Sequence, residues 1–383
     1  MIPSKIRLLI IFLLFFIITF SIIPAVLAKP RKTYITDFLY DCEIKNKGFS
    51  NSEENNKFVS DEATAYALEM LEEFDLLQKK DIFGTVEHEI NTTKLPKDLE
   101  DKAKGMFGTG NVDIYDLYFL LKSLMILDDT NEKYDFSSSL KNDAITYLDS
   151  LLQLEGGYTP SSSSTSPTIA STYFALKIYD LLDEDFENKS ITKNWVRACQ
   201  NPDGGYGGNI GLTSTILNSY YAILIMDIIG DVNELYNEDN TIDYLKSFYE
   251  DNENNLENYG GYYPDEDSET TLIGSTYFCV MSIYLIDENE IDHEEETLTW
   301  ILNRQNFKDG GFADTDDESN QKSSSVINSY YAVQLITLFD ADLISLNEEI
   351  FMVEFNWWIL VGILIGIGLI AVAVIMIRRK RRV

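Results

Sequence analysis

Three carboxylates stand within four residues at Asp314-Thr315-Asp316-Asp317. Acids this close have three chemical uses. One can donate a proton if a dry wall keeps it neutral, the group can hold a cation loosely, or it can simply be a solvated loop. The loop Asp265-Glu266-Asp267 is similarly acidic, and the chain carries 63 acidic residues, so the solvated loop comes first and Asp314, Asp316 and Asp317 remain candidate catalytic acids. A second set is aromatic: Tyr66, Tyr118, Tyr173, Tyr220, Tyr277 and Tyr330 recur in apolar segments. Facing a cavity, they would hold an apolar or flat ligand and orient it through their hydroxyls. Packed between helices, their hydroxyls would bond to neighbouring loops instead, and the small polar residues beside them favour this placement. The two histidines, His88 and His293, lie in polar connecting regions and read as solvated. Cys42, Cys199 and Cys279 are too few and too scattered for a disulfide framework. No cofactor is expected, and cation binding by the acidic loops would be weak.

The elements that must position these residues repeat. Gly156-Gly157-Tyr158, Gly204-Gly205-Tyr206, Gly260-Gly261-Tyr262 and Gly310-Gly311-Phe312 each precede an apolar segment with a central Tyr. The Gly pairs are 48, 56 and 50 residues apart, and weaker copies begin at Gly48-Phe49 and Met106-Phe107-Gly108. Six units of about fifty residues follow, each long enough for two helices. The segment before each glycine pair is amphipathic: Leu140, Ala144, Leu148 and Leu151 share a face while Lys141, Asp143 and Asp149 lie elsewhere. The segment after it, such as Ile216 to Ile229, is apolar nearly all round. A helix with one wet face belongs outside, and one apolar on all sides is covered on both. The pattern predicts an all-α barrel with an inner and an outer ring of helices. The glycines read as turn residues that accept positive φ, and Asn201-Pro202-Asp203-Gly204-Gly205 is a turn sequence.

A helix ending in Gln (Gln153, Gln200, Gln305), then Gly-Gly-aromatic, then a buried helix with a central Tyr resembles the repeat of prenyltransferase β subunits and squalene–hopene cyclases. The resemblance runs from about Tyr34 to Asp340 and implies a single α/α toroid of about six hairpins. It also implies two chemistries to look for. Protein prenyltransferases hold zinc through Asp-x-Cys and His near the starts of late inner helices, to activate a thiolate. The matching stretches here, Leu272-Ile273-Gly274-Ser275-Thr276-Tyr277 and Val326-Ile327-Asn328-Ser329-Tyr330-Tyr331, contain none of these residues, which argues against zinc-dependent prenyl transfer. The cyclases use Asp-x-Asp-Asp to protonate an alkene or epoxide. Asp314 to Asp317 matches the letters but directly follows Gly311-Phe312-Ala313, well before the helix beginning at Val326.

The ends carry addresses. Lys5 and Arg7 precede an apolar run, and Ala25-Val26-Leu27-Ala28 offers small residues, so residues 1–28 read as a signal peptide or an uncleaved anchor. Residues 357–377 are uncharged and long enough to span a bilayer. They are followed by the basic tail 378–383, which marks a cytoplasmic C-terminus. Between them the sequence predicts a toroid over 29–340 and an acidic stalk over 341–356. With 23 of the 30 basic residues left against all 63 acidic ones, this middle carries a net charge near −40 and repels nucleic acid. The expectation is a single-pass cell-membrane protein whose external toroid binds a small apolar ligand or a protein partner without catalysis. An isoprenoid enzyme at the membrane surface is the alternative.

Overall fold

The computed structural model describes residues 25–53, 57–80, 85–110, 112–130, 134–235, 237–314 and 324–354. Residues 1–24 of the segment 1–28 read as a signal or anchor, and the segment 357–377 read as a membrane span, lie outside the described residues. No helix among those described is long and apolar enough to cross a membrane.

The chain forms two compact units, one of which spans Lys32–Leu346. Its helices alternate between outer and inner positions: α1 (Arg31–Asp41), α2 (Asp61–Glu73), α3 (Lys94–Thr109), α4 (Ile114–Thr130), α5 (Ser138–Leu151), α6 (Ile169–Leu181), α7 (Lys189–Ala198), α8 (Ile216–Ile229), α9 (Glu238–Lys246), α10 (Ile273–Ile286), α11 (Glu294–Asn303) and α12 (Val326–Phe339). The even-numbered helices are the inner ones. Each packs on the next, and α12 packs back on α2, so the inner ring is closed. This is the α/α toroid expected from the repeats. Inner helices start where a hydroxyl can replace the missing backbone acceptor. The side chains of Ser60, Thr168, Thr215 and Ser325 accept from Ala63, Ser171, Asn218 and Asn328 N–H at the starts of α2, α6, α8 and α12.

The glycine pairs join neighbouring hairpins. Gly204 has φ +92°, and a Cβ there would lie 2.0 Å from the carbonyl oxygen of Asn240 in the next outer helix. No other residue fits both constraints. Its neighbour Gly205 lies against the Tyr244 ring, as Gly157 does against Trp195 and Gly261 against Trp300. The last latch runs backwards. Gly310 approaches the Tyr34 carbonyl and Gly311 the Phe38 ring, both in α1, so the same contact that joins hairpins also closes the ring. The second repeat departs from this scheme. Met106-Phe107-Gly108 lies inside α3, which ends at Gly110 with φ +69°, leaving only residues 110–113 before α4. A helix that runs straight into so short a link has no room for a Gly-Gly turn.

The other unit holds residues 25–31 and 347–354 of those described. Ala25–Pro30 pairs antiparallel with Glu349–Glu354, and Arg31 N–H donates to Glu348 O at 3.0 Å. The segment read as a stalk thus contains a strand, preceded by the short helix α13 (Ile344–Asn347).

Candidate functional site

The six tyrosines converge in the centre of the inner ring. They line a cavity of about 50 Å³ together with Lys122, Phe174, Tyr221, Phe278 and Tyr331. The middle of the barrel is therefore filled, leaving room for roughly three or four waters. Stacked pairs do the filling: Tyr66 on Tyr330 at 3.9 Å, Tyr277 on Tyr331 at 4.6 Å and Tyr173 on Tyr221 at 4.8 Å. Each such pair is worth about 0.5–1.5 kcal/mol beyond its buried area.

Repeat register explains the crowding. The hydroxyl just before each central Tyr does not serve that Tyr. Thr172, Ser219, Thr276 and Ser329 accept the backbone N–H of Tyr158, Tyr206, Tyr262 and Phe312 at 2.9–3.0 Å, fixing the aromatic that follows each glycine pair. Thr64 does the same for Phe49 at 2.9 Å. Counted from this hydroxyl, Tyr173, Tyr220, Tyr277 and Tyr330 come next, whereas Tyr66 comes second and corresponds to Phe174, Tyr221, Phe278 and Tyr331. Each of the last four repeats thus offers two aromatic positions to the axis. In those four the second was visible as Tyr-Phe or Tyr-Tyr in the sequence, but only the first was singled out there. The small polar residues bond the loops, which frees the tyrosines to face the axis.

Burial raises the pKa of these phenols: Tyr66, Tyr173, Tyr220 and Tyr330 lie well above the ordinary tyrosine value, and Tyr277 is pushed up to about 12. All stay protonated at neutral pH, and Tyr220 donates to the Tyr277 hydroxyl at 3.2 Å. Among the described residues lining the cavity, the one ammonium, Lys122, pairs with Glu69 at 2.6 Å and lies 5.2 and 5.4 Å from the Tyr66 and Tyr330 ring centres. Elsewhere along the axis Glu62 accepts from the Tyr115 hydroxyl. Burial raises the pKa of Glu62, and this bond partly opposes the rise.

A larger pocket, of about 290 Å³, opens where the starts of α8, α10 and α12 meet. Its walls include Ile216, Leu217, Pro264, Leu272, Gly274 and Phe278, and its polar groups come from Thr215, Ser275, Asp314 and Asn328. Asp314 is the carboxylate singled out from the sequence, and here it is a cap. Its Oδ1 accepts Ile273 N–H at 2.8 Å and its Oδ2 accepts Asn328 Nδ2 at 2.9 Å. In other repeats a backbone carbonyl fills this place: Pro160 O takes Ile114 N–H, Gly208 O takes Ile169 N–H, and Asn51 O takes Val326 N–H. Asp314 is the side-chain version of that link between hairpins. Asp316 and Asp317 lie outside the described residues.

The pocket coincides with the stretches in which zinc ligands were sought. Among the described residues it offers one carboxylate, with both oxygens already accepting, and neither thiol nor imidazole lines it. Zinc requires about four nitrogen, sulfur or oxygen donors, so this set does not fit the ion. The histidines lie elsewhere and are not simply solvated. His88 Nε2 is 2.6 Å from Glu43 Oε2 with its ring on Tyr40, and His293 stacks on Tyr249 at 4.8 Å. Cys42, Cys199 and Cys279 are buried free thiols, and burial pushes Cys199 up to about 12, which leaves it unreactive.

Comparison with solved structures agrees with this architecture. Candida albicans protein geranylgeranyltransferase-I complexed with GGPP superposes with a TM-score of 0.61 at 16% identity, covering 83% of this chain and 95% of that one. A type II terpene cyclase from Scytonema gives a TM-score of 0.49 at 10% identity, over 82% and 97% of the two chains. At these identities the first likeness speaks for the fold alone. The model of the prenyltransferase alpha-alpha toroid domain matches residues 5–159, 163–265 and 252–355. With the repeats closed into one ring and the match running through nearly the whole chain, the protein belongs to the prenyltransferase alpha-alpha toroid family.

Proposed function

We propose that this toroid is an isoprenoid-handling protein that takes an apolar chain into the pocket at the starts of α8, α10 and α12, displayed at a membrane by the apolar segment 357–377. The observation that carries the reading is the pocket itself: an apolar recess of about 290 Å³ that shares Phe278 with the aromatic centre of the barrel, in a member of this family. Its size lies at the lower limit of ligand sites, about 300–1,000 Å³, which suits a short chain or the end of a longer one. The geranylgeranyltransferase relative is complexed with GGPP, which makes isoprenoids the first ligand class to try. Binding is the core of the reading, because Asp314 is committed to its two partners. The test is native mass spectrometry of the full-length protein with C10 to C20 prenyl alcohols, prenyl diphosphates and squalene. Retention of none of them would end this reading.

A second reading, cyclase-like proton transfer, rests on Asp316 and Asp317 in the motif that Asp314 opens. Gas chromatography of squalene and prenyl diphosphate incubations tests it, with Asp316→Asn as control. Products that appear with the parent chain and vanish in the variant would establish catalysis.

A further inference from the structure

The polar groups of the pocket set the charge of what enters it. No Lys or Arg lines it among the described residues, and its single ionisable group is Asp314. Helix starts ordinarily favour anions, each equivalent to roughly half a positive charge. Here one or more N–H groups of each start are already answered. Asp314 places a full negative charge on the start of α10 and takes Ile273 N–H, while Thr215 and Ser325 take the Asn218 and Asn328 N–H groups of α8 and α12. The one charged group there offers acceptor capacity, since each carboxylate oxygen has a second lone-pair direction beyond the bond it accepts. A diphosphate would meet a carboxylate without a counter-charge. A hydroxyl would find an acceptor.

We propose that this pocket selects an uncharged isoprenoid alcohol, its hydroxyl donating to Asp314 and its chain against Leu217, Leu272 and Phe278, and that it rejects prenyl diphosphates. The proposal rests on the isoprenoid reading above and adds the head group. Gly274 supplies the means to test the location. It lies in the first turn of α10 without positive φ, and the nearest atoms a Cβ there would meet belong to the Phe278 and Tyr331 rings at 3.7–4.0 Å, ordinary contact distances. A longer side chain at 274 fills the pocket while keeping the helix.

The experiment is isothermal titration of the full-length protein in detergent with geraniol and with geranyl diphosphate, repeated on Gly274→Leu. Geraniol is expected to bind at least tenfold more tightly than geranyl diphosphate. Gly274→Leu is expected to weaken geraniol at least tenfold with an unchanged thermal midpoint. Equal or tighter binding of the diphosphate overturns the head-group assignment and leaves the isoprenoid reading standing. Undiminished geraniol binding by Gly274→Leu overturns the location. Binding of neither probe overturns this proposal, and the reading beneath it falls only if the longer chains also fail.

Discussion

Two sets of aromatic side chains organise this toroid, and they are held in opposite ways. The rings after the glycine pairs, Tyr158, Tyr206, Tyr262 and Phe312, are almost wholly buried, and each backbone N–H is fixed by a Ser or Thr of the following helix. The rings at the axis have no such local tie. They are placed by stacking on rings from helices far away in sequence, as Tyr66 is on Tyr330, and they border a small cavity. The first set is determined within one hairpin, the second only once the ring is closed. Local rules therefore fix the scaffold, and the centre depends on what six helices jointly bring to it.

That contrast can be broken at its strongest point. Gly204→Ala forces a Cβ against the Asn240 carbonyl at positive φ, and a loss of about 3 kcal/mol is expected from chemical denaturation. Gly274→Ala, on the axial side, is the matching substitution without strain. It is expected to be neutral or to gain up to about 1 kcal/mol, because it removes a helical glycine. A large loss at Gly274 would show that the axis tolerates no more than the latches do.

Between these extremes lies Asp314→Ala, which removes the acceptor of Ile273 N–H. It should cost about 1–2 kcal/mol without altering the urea dependence of unfolding. If the cost is nil, Asp314 is free for other chemistry and its assignment as a link fails.

The smallest effect concerns pH. Burial raises the Glu62 pKa above its ordinary value of 4.5, so the folded state holds that proton over a range where the unfolded chain has lost it. Stability therefore falls as pH rises from about 4.5 through the folded-state value, the reverse of a salt-bridged carboxylate. Thermal midpoints of Glu62→Gln should fall less than those of the parent chain over that range. Parallel curves would remove Glu62 from the account.

The same contrast explains what the sequence revealed. Glycine pairs with a Pro-Asp turn, amphipathic and all-apolar segments and a fifty-residue period are local signals, and they led to the toroid. Signals that depend on the partner were misread or missed. Tyr66 matched by residue type but is displaced by one position, which shows only when Thr64 is seen bonding Phe49. Met106-Phe107-Gly108 looked like a turn because its helical neighbours gave no warning of so short a link. Asp314 stood out by its letters, whereas its work as a stand-in for a backbone carbonyl appears only beside Ile273, 41 residues earlier. Charge counting could not show that His88 meets Glu43, because the two are 45 residues apart.

The latch at Gly310 has a topological consequence. The contact that joins α12's hairpin to α1 is the contact that joins every other strong repeat to its neighbour, down to a glycine beneath a carbonyl. Geometrically the ring has no first member. Its opening lies between α12 and α1 because translation must begin somewhere, and Val326 N–H reaching back to Asn51 O closes that gap. A circularly permuted gene that joins the ends of the toroid and opens the chain in a different exposed link would preserve every latch. The seam between α12 and α1 would then become an internal joint, and one of the present internal joints would become the seam.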